Sequence, residues 1–330
     1  MVKRLLAGAV LIFAGIAQAE ENYRWESSPS MPVPLQEIYP ALWKDSIVVA
    51  GGLAEGSDGR LAVSAKVIQL ERNAKEWKEL PELPDPRHHV MLVAKDESLW
   101  AFGGFVVTEN GQWSNTDSVL VLDAQSQRWS QHNPLPLKLS ESVAAILNGN
   151  IHLASGRTLK GEKNGQWAHH VDTDWHGVFD QKSGVWKQLP PVPTARNSAC
   201  SVVIDNNWHV IGGRTVAEGN VDVHEVYNDK TKQWNKLSPM PEARAGIACL
   251  SDGKFIYVFG GEYFSNGGGL YPDVLRYEVK RDRWKVISSM PQATHGLGAV
   301  LWGEDILVIG GAAQPGAKKT KAAVLKFTVK

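Results

Sequence analysis

An all-β fold of six equal blades closed into a ring is what this sequence predicts, and three observations predict it. Trp25, Trp77, Trp129, Trp186, Trp234 and Trp284 are each followed 26 residues later by a glycine step, at Gly51, Gly103, Gly212, Gly260 and Gly310, with a Ser-Gly variant at Ser155. Proline stands seven residues after every one of these tryptophans, from Pro32 and Pro84 through Pro136, Pro193 and Pro241 to Pro291. Seven residues before each later tryptophan stands a large apolar residue, at Leu70, Leu122, Phe179, Tyr227 and Tyr277. A period near 50 residues that fills the chain marks propeller blades rather than separate domains.

Each repeat reads as four strands. In the second, Glu76 to Leu80 alternates around Trp77 as an outer strand, d. His88 to Lys95 follows as strand a, and Ser98 to Phe102, apolar and ending at Gly103-Gly104, as strand b. Continuous apolar runs of this kind suit a sheet covered on both faces. Strand c carries the apolar residue seven before the next tryptophan, and polar turns such as Asn228 to Lys232 join c to d. The chain begins with a lone d strand around Trp25 and ends with a lone c strand carrying Phe327. The N-terminal strand is therefore expected to complete the last blade, because closure removes two open edges.

Residues 1–19 read as a signal peptide. Lys3-Arg4 is a basic start, Leu5 to Ala17 an apolar stretch, and Ala17-Gln18-Ala19 a cleavage site. The expected layout is that leader followed by one propeller over 20–330, exported to a bacterial periplasm or beyond. No later segment is long and apolar enough to cross a membrane as a helix. Basic and acidic residues number 35 each in the full chain. Loss of Lys3 and Arg4 leaves a charge of about −2, with no general attraction to nucleic acid. Cys200 and Cys249 lie 14 and 15 residues after their tryptophans, so in adjacent blades they either meet across the shared interface or point apart.

Length varies only between the glycine step and strand c. In an up-and-down sheet the b–c and d–a connections leave at the same end, so one mouth should be lined by variable loops on a rigid frame. Arginines cluster at the expected rim: Arg87, Arg196 and Arg244 ten residues after their tryptophans, Arg157 and Arg214 just after their glycine steps. Bidentate guanidinium groups suit a carboxylate ligand. His88 and Asn197 lie beside them. Two loops share the tetrapeptide Asn-Gly-Gln-Trp, ending at Trp113 and Trp167, and Trp175 follows in the longest loop; exposed indoles would stack on sugar rings. Glu262 to Pro272, with three consecutive glycines, reads as a mobile flap. His88-His89 and His169-His170 are adjacent on strands, where side chains face opposite ways, so no metal or other cofactor is expected.

A strand ending in Gly-Gly, then an aromatic, then tryptophan seven residues on, repeated around a ring, resembles the kelch-repeat β-propeller. The fold expected is thus all-β, a six-bladed kelch propeller with its last blade closed by the N-terminal strand. In leader, size and repeat number the chain is also similar to the bacterial periplasmic kelch proteins that act as sialic acid mutarotases. That resemblance implies acid–base ring opening by a glutamate near the mouth. Glu262, directly after Gly260-Gly261, is the best match, Glu141 the second, and His295 or His88 would shuttle the proton. The functional expectation is an exported binding propeller whose loop-lined face holds an envelope protein or a glycan or acidic sugar. The alternative is a mutarotase-type isomerase. A galactose-oxidase-like enzyme is more remote, because both cysteines fall in inner strands and no Tyr-His pair opens a strand a.

Overall fold

The computed structural model describes residues 23–56 and 58–329. The expected leader, residues 1–19, lies outside them. Six antiparallel blades follow in chain order, each with four strands running from an inner to an outer one, and the fifth adds the short strand Gly269–Leu270. The inner strands are Ala41–Trp43, Met91–Lys95, Val143–Leu147, Cys200–Ile204, Ala245–Ser251 and Gly298–Trp302, and each touches the next around a closed ring. Tyr23–Ser28 supplies the outer strand of the last blade and pairs with Val324–Val329, Trp25 opposite Phe327.

The interfaces between blades hold the core. Six apolar clusters lie one in each interface, and every repeat tryptophan packs into one of them. Trp77, Trp129, Trp234 and Trp284 also donate their indole N–H to a carbonyl in the preceding blade, at Pro29, Pro81, Pro190 and Ser238. That bond satisfies the one polar atom of an otherwise apolar ring.

The glycine steps and the residues ten after tryptophan belong to one device. The N–H of the second glycine in each step donates to the carbonyl of the residue ten after the next tryptophan: Gly52 to Arg87, Gly104 to Leu139, Gly156 to Arg196, Gly213 to Arg244, Gly261 to Thr294 and Gly311 to Leu35, at 2.7–3.0 Å. At Gly51 φ is +66° and a Cβ would fall 2.2 Å from the Arg87 carbonyl oxygen, so only glycine fits without strain. Ser155 adopts the same left-handed conformation, φ 60°, and its hydroxyl donates to the Arg196 carbonyl.

This device corrects the expectation for Arg87, Arg196 and Arg244. All three are fully buried between blades. Arg87 donates to Gly103 O and Ser118 Oγ, Arg196 to Gly212 O, Val210 O, Thr194 O and Glu225, and Arg244 to Asp273 O and Glu242. They fasten neighbouring strands and do not reach the mouth. Cys200 and Cys249 meet across neighbouring inner strands as a disulfide, Cα atoms 5.7 Å apart.

Candidate functional site

Twelve residues after each repeat tryptophan the backbone reaches the axis. Glu37, His89, Glu141, Ser198, Gly246 and Gly296 hold this position, all with φ between +50° and +65°. Five of the six N–H groups donate to the preceding carbonyl around the ring: Glu37 to Gly296 (2.6 Å), His89 to Glu37 (3.1 Å), Ser198 to Glu141 (3.3 Å), Gly246 to Ser198 (3.2 Å) and Gly296 to Gly246 (2.9 Å). The ring separates two cavities. Below it a channel of about 330 Å³ runs between the inner strands past Tyr39 and the disulfide. Above it lies a mouth of about 1110 Å³.

The mouth is walled by the variable connections. Hairpins Leu53–Glu55 with Leu61–Val63, Phe105–Val107 with Trp113–Asn115, and Arg157–Leu159 with His170–Asp172 rise on one side, and Glu262–Tyr263 pairs with Gly269–Leu270 on the other. The expected flap is thus a strand-paired hairpin. The floor is uneven. Glu37, His89 and Glu141 carry reactive side chains, whereas Ser198, Gly246 and Gly296 leave the other half low. A Cβ on Gly296 would come within 2.8 Å of the Glu37 carboxylate.

His89 Nε2 lies 2.7 Å from Glu37 Oε2 and 3.3 Å from Glu141 Oε1, aligned for a hydrogen bond with neither. A lone pair facing two carboxylates would be repelled, so Nε2 carries the proton. Burial pushes the Glu37 carboxyl up, but His89, His295 and Arg214 outweigh it and hold the group well below the usual carboxylate range. Glu141 is likewise buried, yet His89, Arg157 and Arg214 keep it below its ordinary value. Burial, then the charges of Glu141 and Glu37, push the Tyr39 phenol up.

Arg214 is the hub. It donates to Glu262 Oε1 at 2.9 Å, to Glu141 Oε1 at 3.4 Å and to Asn197 Oδ1 at 3.2 Å. Asn197 is held in turn by Asp172 Oδ1 at 2.6 Å. Burial lowers the basicity of Arg214, and Glu141, Glu262 and Glu37 more than restore it. Glu262 Oε2 accepts the Gly316 N–H at 3.0 Å.

Arg157 lies under the Trp167 ring, 3.7 Å from its centroid, and donates to His170 Nδ1 at 2.9 Å. Burial, then the Arg157 charge, push His170 down to about 4, so its neutral ring accepts that bond. Arg157 Nη1 stops 3.6 Å short of Glu141 Oε2. Arg157 Nε and Glu141 Oε2 are both buried without a hydrogen-bond partner among the described residues. His295 places Nε2 3.0 Å from the Gln314 carbonyl. A carbonyl only accepts, so Nε2 carries a hydrogen, and in the neutral ring Nδ1 is the lone-pair nitrogen. That Nδ1 has no hydrogen-bond partner among the described residues and lies 3.7 Å from Glu37 Oε1.

The structure thus brings Glu262, Glu141, His295, Arg157, Arg214, His88, Trp113 and Trp167 to one mouth. Asn197 stands behind it as the support of Arg214. Trp175 is buried against Trp186, ring centroids 5.6 Å apart, and is no sugar platform. The histidine pair also departs from expectation. The positive φ of His89 folds its ring back, so that the Nδ1 atoms of His88 and His89 lie 2.6 Å apart rather than on opposite faces. Burial and the neighbouring His89 hold His88 well below the ordinary histidine range. Among the described residues no group of three or more His, Cys, Asp or Glu is placed to hold a metal ion. From sequence Glu37 has only a place at the rim and His89 is weighed only as half of a metal pair, although the ruler that found the glycine steps marks both, twelve residues after Trp25 and Trp77.

A family model for the kelch repeats of KLHDC2, KLHL20 and DRC7 matches residues 165–311. Beta-scruin of Limulus polyphemus is 24% identical over 228 residues, covering 64% of this chain and 24% of that protein. Kelch-like protein terF of Aspergillus terreus is 24% identical over 233 residues, covering 67% and 50%. Kelch-like protein 40 of Mus musculus is 26% identical over 190 residues, covering 57% and 29%. The chain spans at most half the length of these curated relatives. With the ring of blades and its latches, the matches define a six-bladed kelch-repeat β-propeller. In fold it is similar to the solved structure of YjhT, with a TM-score of 0.76, 19% identity, and coverage of 92% of this chain and 99% of that one.

Proposed function

We propose that the protein is an exported sugar-handling propeller whose mouth opens and recloses the ring of an acidic reducing sugar. The observation that carries this reading is the pair Arg157 Nε and Glu141 Oε2, a buried donor and a buried acceptor each lacking a hydrogen-bond partner among the described residues. Unmade hydrogen bonds of buried groups cost about 1–3 kcal/mol each, and a ligand that fills both recovers that cost. A 2-keto sugar acid offers both complements, its carboxylate accepting from Arg157 and one of its other hydroxyls donating to Glu141, which leaves the anomeric hydroxyl to His295.

The acid–base pair lies beside it. A neutral His295 takes the proton of the anomeric hydroxyl at Nδ1, the bond from anomeric carbon to ring oxygen breaks, and His89 in its imidazolium form protonates that oxygen from Nε2 and is left neutral. Reclosure on the other face of the carbonyl returns both protons. Glu37 and Glu262 flank His295, Glu262 Oε2 at 3.5 Å, and stabilise its charge in passing. Glu262 itself is engaged by Arg214 and Gly316, so its part is to hold the floor rather than to move a proton. Periplasmic placement belongs to the same proposal, and cell fractionation tests it.

The functional test is anomer exchange of freshly dissolved N-acetylneuraminate followed by NMR. Acceleration by about micromolar protein is expected. An exchange rate equal to that in buffer ends the enzymatic reading for this substrate. A second reading, a docking face for an envelope protein, is favoured by the exposed apolar side chains that line the same mouth, Leu61, Trp113, Trp167 and Phe264.

A further inference from the structure

We infer that the mouth has a second sugar subsite, on the wall formed by the hairpins of the second and third blades, and that the ligand is an oligosaccharide presenting its reducing end to the floor. This inference rests on the sugar reading above and extends it from one ring to at least two.

The two Asn-Gly-Gln-Trp turns are built into a single surface. Asn164 Oδ1 accepts the Asn115 N–H and its Nδ2 donates to the Asn115 carbonyl, both at 2.9 Å. Ser114 Oγ donates to the Asn164 carbonyl at 2.8 Å. Gly165 lies so close to Gln112 that a Cβ there would fall 2.5 Å from Gln112 Oε1. The repeated tetrapeptide therefore fastens two neighbouring hairpins together.

The wall presents two indoles whose backs are fixed. Trp113 packs against His88, centroids 4.4 Å apart, and Trp167 lies over the Arg157 guanidinium. Both side chains line the mouth and stay partly open to it, with 40% and 49% exposure. An indole fixed behind and open in front loses little freedom when it stacks on a ligand. Both rings line the same cavity as His295 and Glu141, so a chain leaving the floor runs onto them. The size agrees. A volume of about 1110 Å³ exceeds what one monosaccharide fills and lies just above the ~300–1,000 Å³ range of drug-sized pockets.

The test compares N-acetylneuraminate with its α2,8-linked dimer, which keeps a free reducing end, by calorimetric binding and by anomer exchange on the full chain. The dimer should bind about tenfold more tightly, one well-made stacking contact. Trp113→Ala should bring the ratio of the two affinities close to one, and Trp113→Phe should keep part of it. Equal affinities for monomer and dimer in the unaltered protein overturn the second subsite. So does a Trp113→Ala protein that weakens both ligands equally. Accelerated exchange of the monomer with no dimer preference leaves the ring-opening reading standing and sinks only this one; binding of neither ligand sinks both.

Discussion

His152 Nδ1 and His176 Nε2 lie 3.0 Å apart inside the wall between the third and fourth blades, and His209 and His224 repeat the arrangement one blade on, at 2.8 Å. The other repeats place Val67, Val119, Val274 and Val324 at the position of His176 and His224. Trp208, Tyr227 and Trp234 enclose the first pair, with Asp229 and Lys232 beyond, and Tyr277 and Trp284 enclose the second, with Asp282 and Arg196 beyond. Burial pushes His152 and His209 down to about 4, and burial with the neighbouring histidine pushes His176 and His224 down to about 3.

These values set the direction of an acid effect. Between pH about 6.5 and about 3 the unfolded chain binds protons that the folded chain refuses, so stability is full above that window and falls as pH drops through it. The loss should reach a few kcal/mol, on the order expected for buried neutral histidines. Denaturant melts at a series of pH values check this. The double change His152→Leu and His176→Val, which copies the apolar repeats, should flatten the slope. An unchanged slope would show that acid acts elsewhere.

The disulfide closes a loop of 49 residues between neighbouring inner strands. Chain entropy gives such a cross-link about 4 kcal/mol at most. Reduction, or Cys200→Ala with Cys249→Ala, should therefore lower the thermal midpoint by several degrees without altering the blades. Calorimetry with and without reductant measures it, and identical midpoints would count against a closed bond in solution.

Ring closure rests on Trp25, which packs on Phe327 with centroids 4.7 Å apart and on Phe259 at 6.1 Å. Trp25→Ala should cost about 2–4 kcal/mol. Removal of residues 23–28 would bare the edge of Val324–Val329 and should yield aggregating protein. Light scattering distinguishes this from a chain that merely melts earlier.

At the mouth, His295→Asn retains a polar side chain but removes the basic nitrogen. Exchange should slow by about 10²–10⁴-fold while affinity for N-acetylneuraminate changes little. Arg157→Ala should do the reverse, losing affinity for the acid more than for N-acetylmannosamine, which lacks the carboxylate. If both variants behave alike, the division of labour proposed between them is wrong.

The frame was legible in the sequence because its rulers record steric necessity. A glycine step must pass within van der Waals contact of the next blade, and a tryptophan must fill each interface, so neither position drifts. Side-chain direction was less legible. Arg87, Arg196 and Arg244 share a register with the mouth but turn into the interfaces, and no spacing distinguishes a rim arginine from a strand fastener. Two residues later a left-handed backbone turns Glu37, His89 and Glu141 toward the axis, against the simple alternation of a strand. The hairpins that wall the site vary in length, so no repeat predicts how they dock on one another.

The six axial positions share one backbone conformation yet carry two glutamates, one histidine, one serine and two glycines. A frame of near-rotational symmetry thereby acquires a handed floor. A planar carbonyl freed at the centre would meet carboxylates and an imidazole on one side and a glycine floor overhung by His295 on the other, so the two faces of that carbon are chemically unlike from the moment the ring opens.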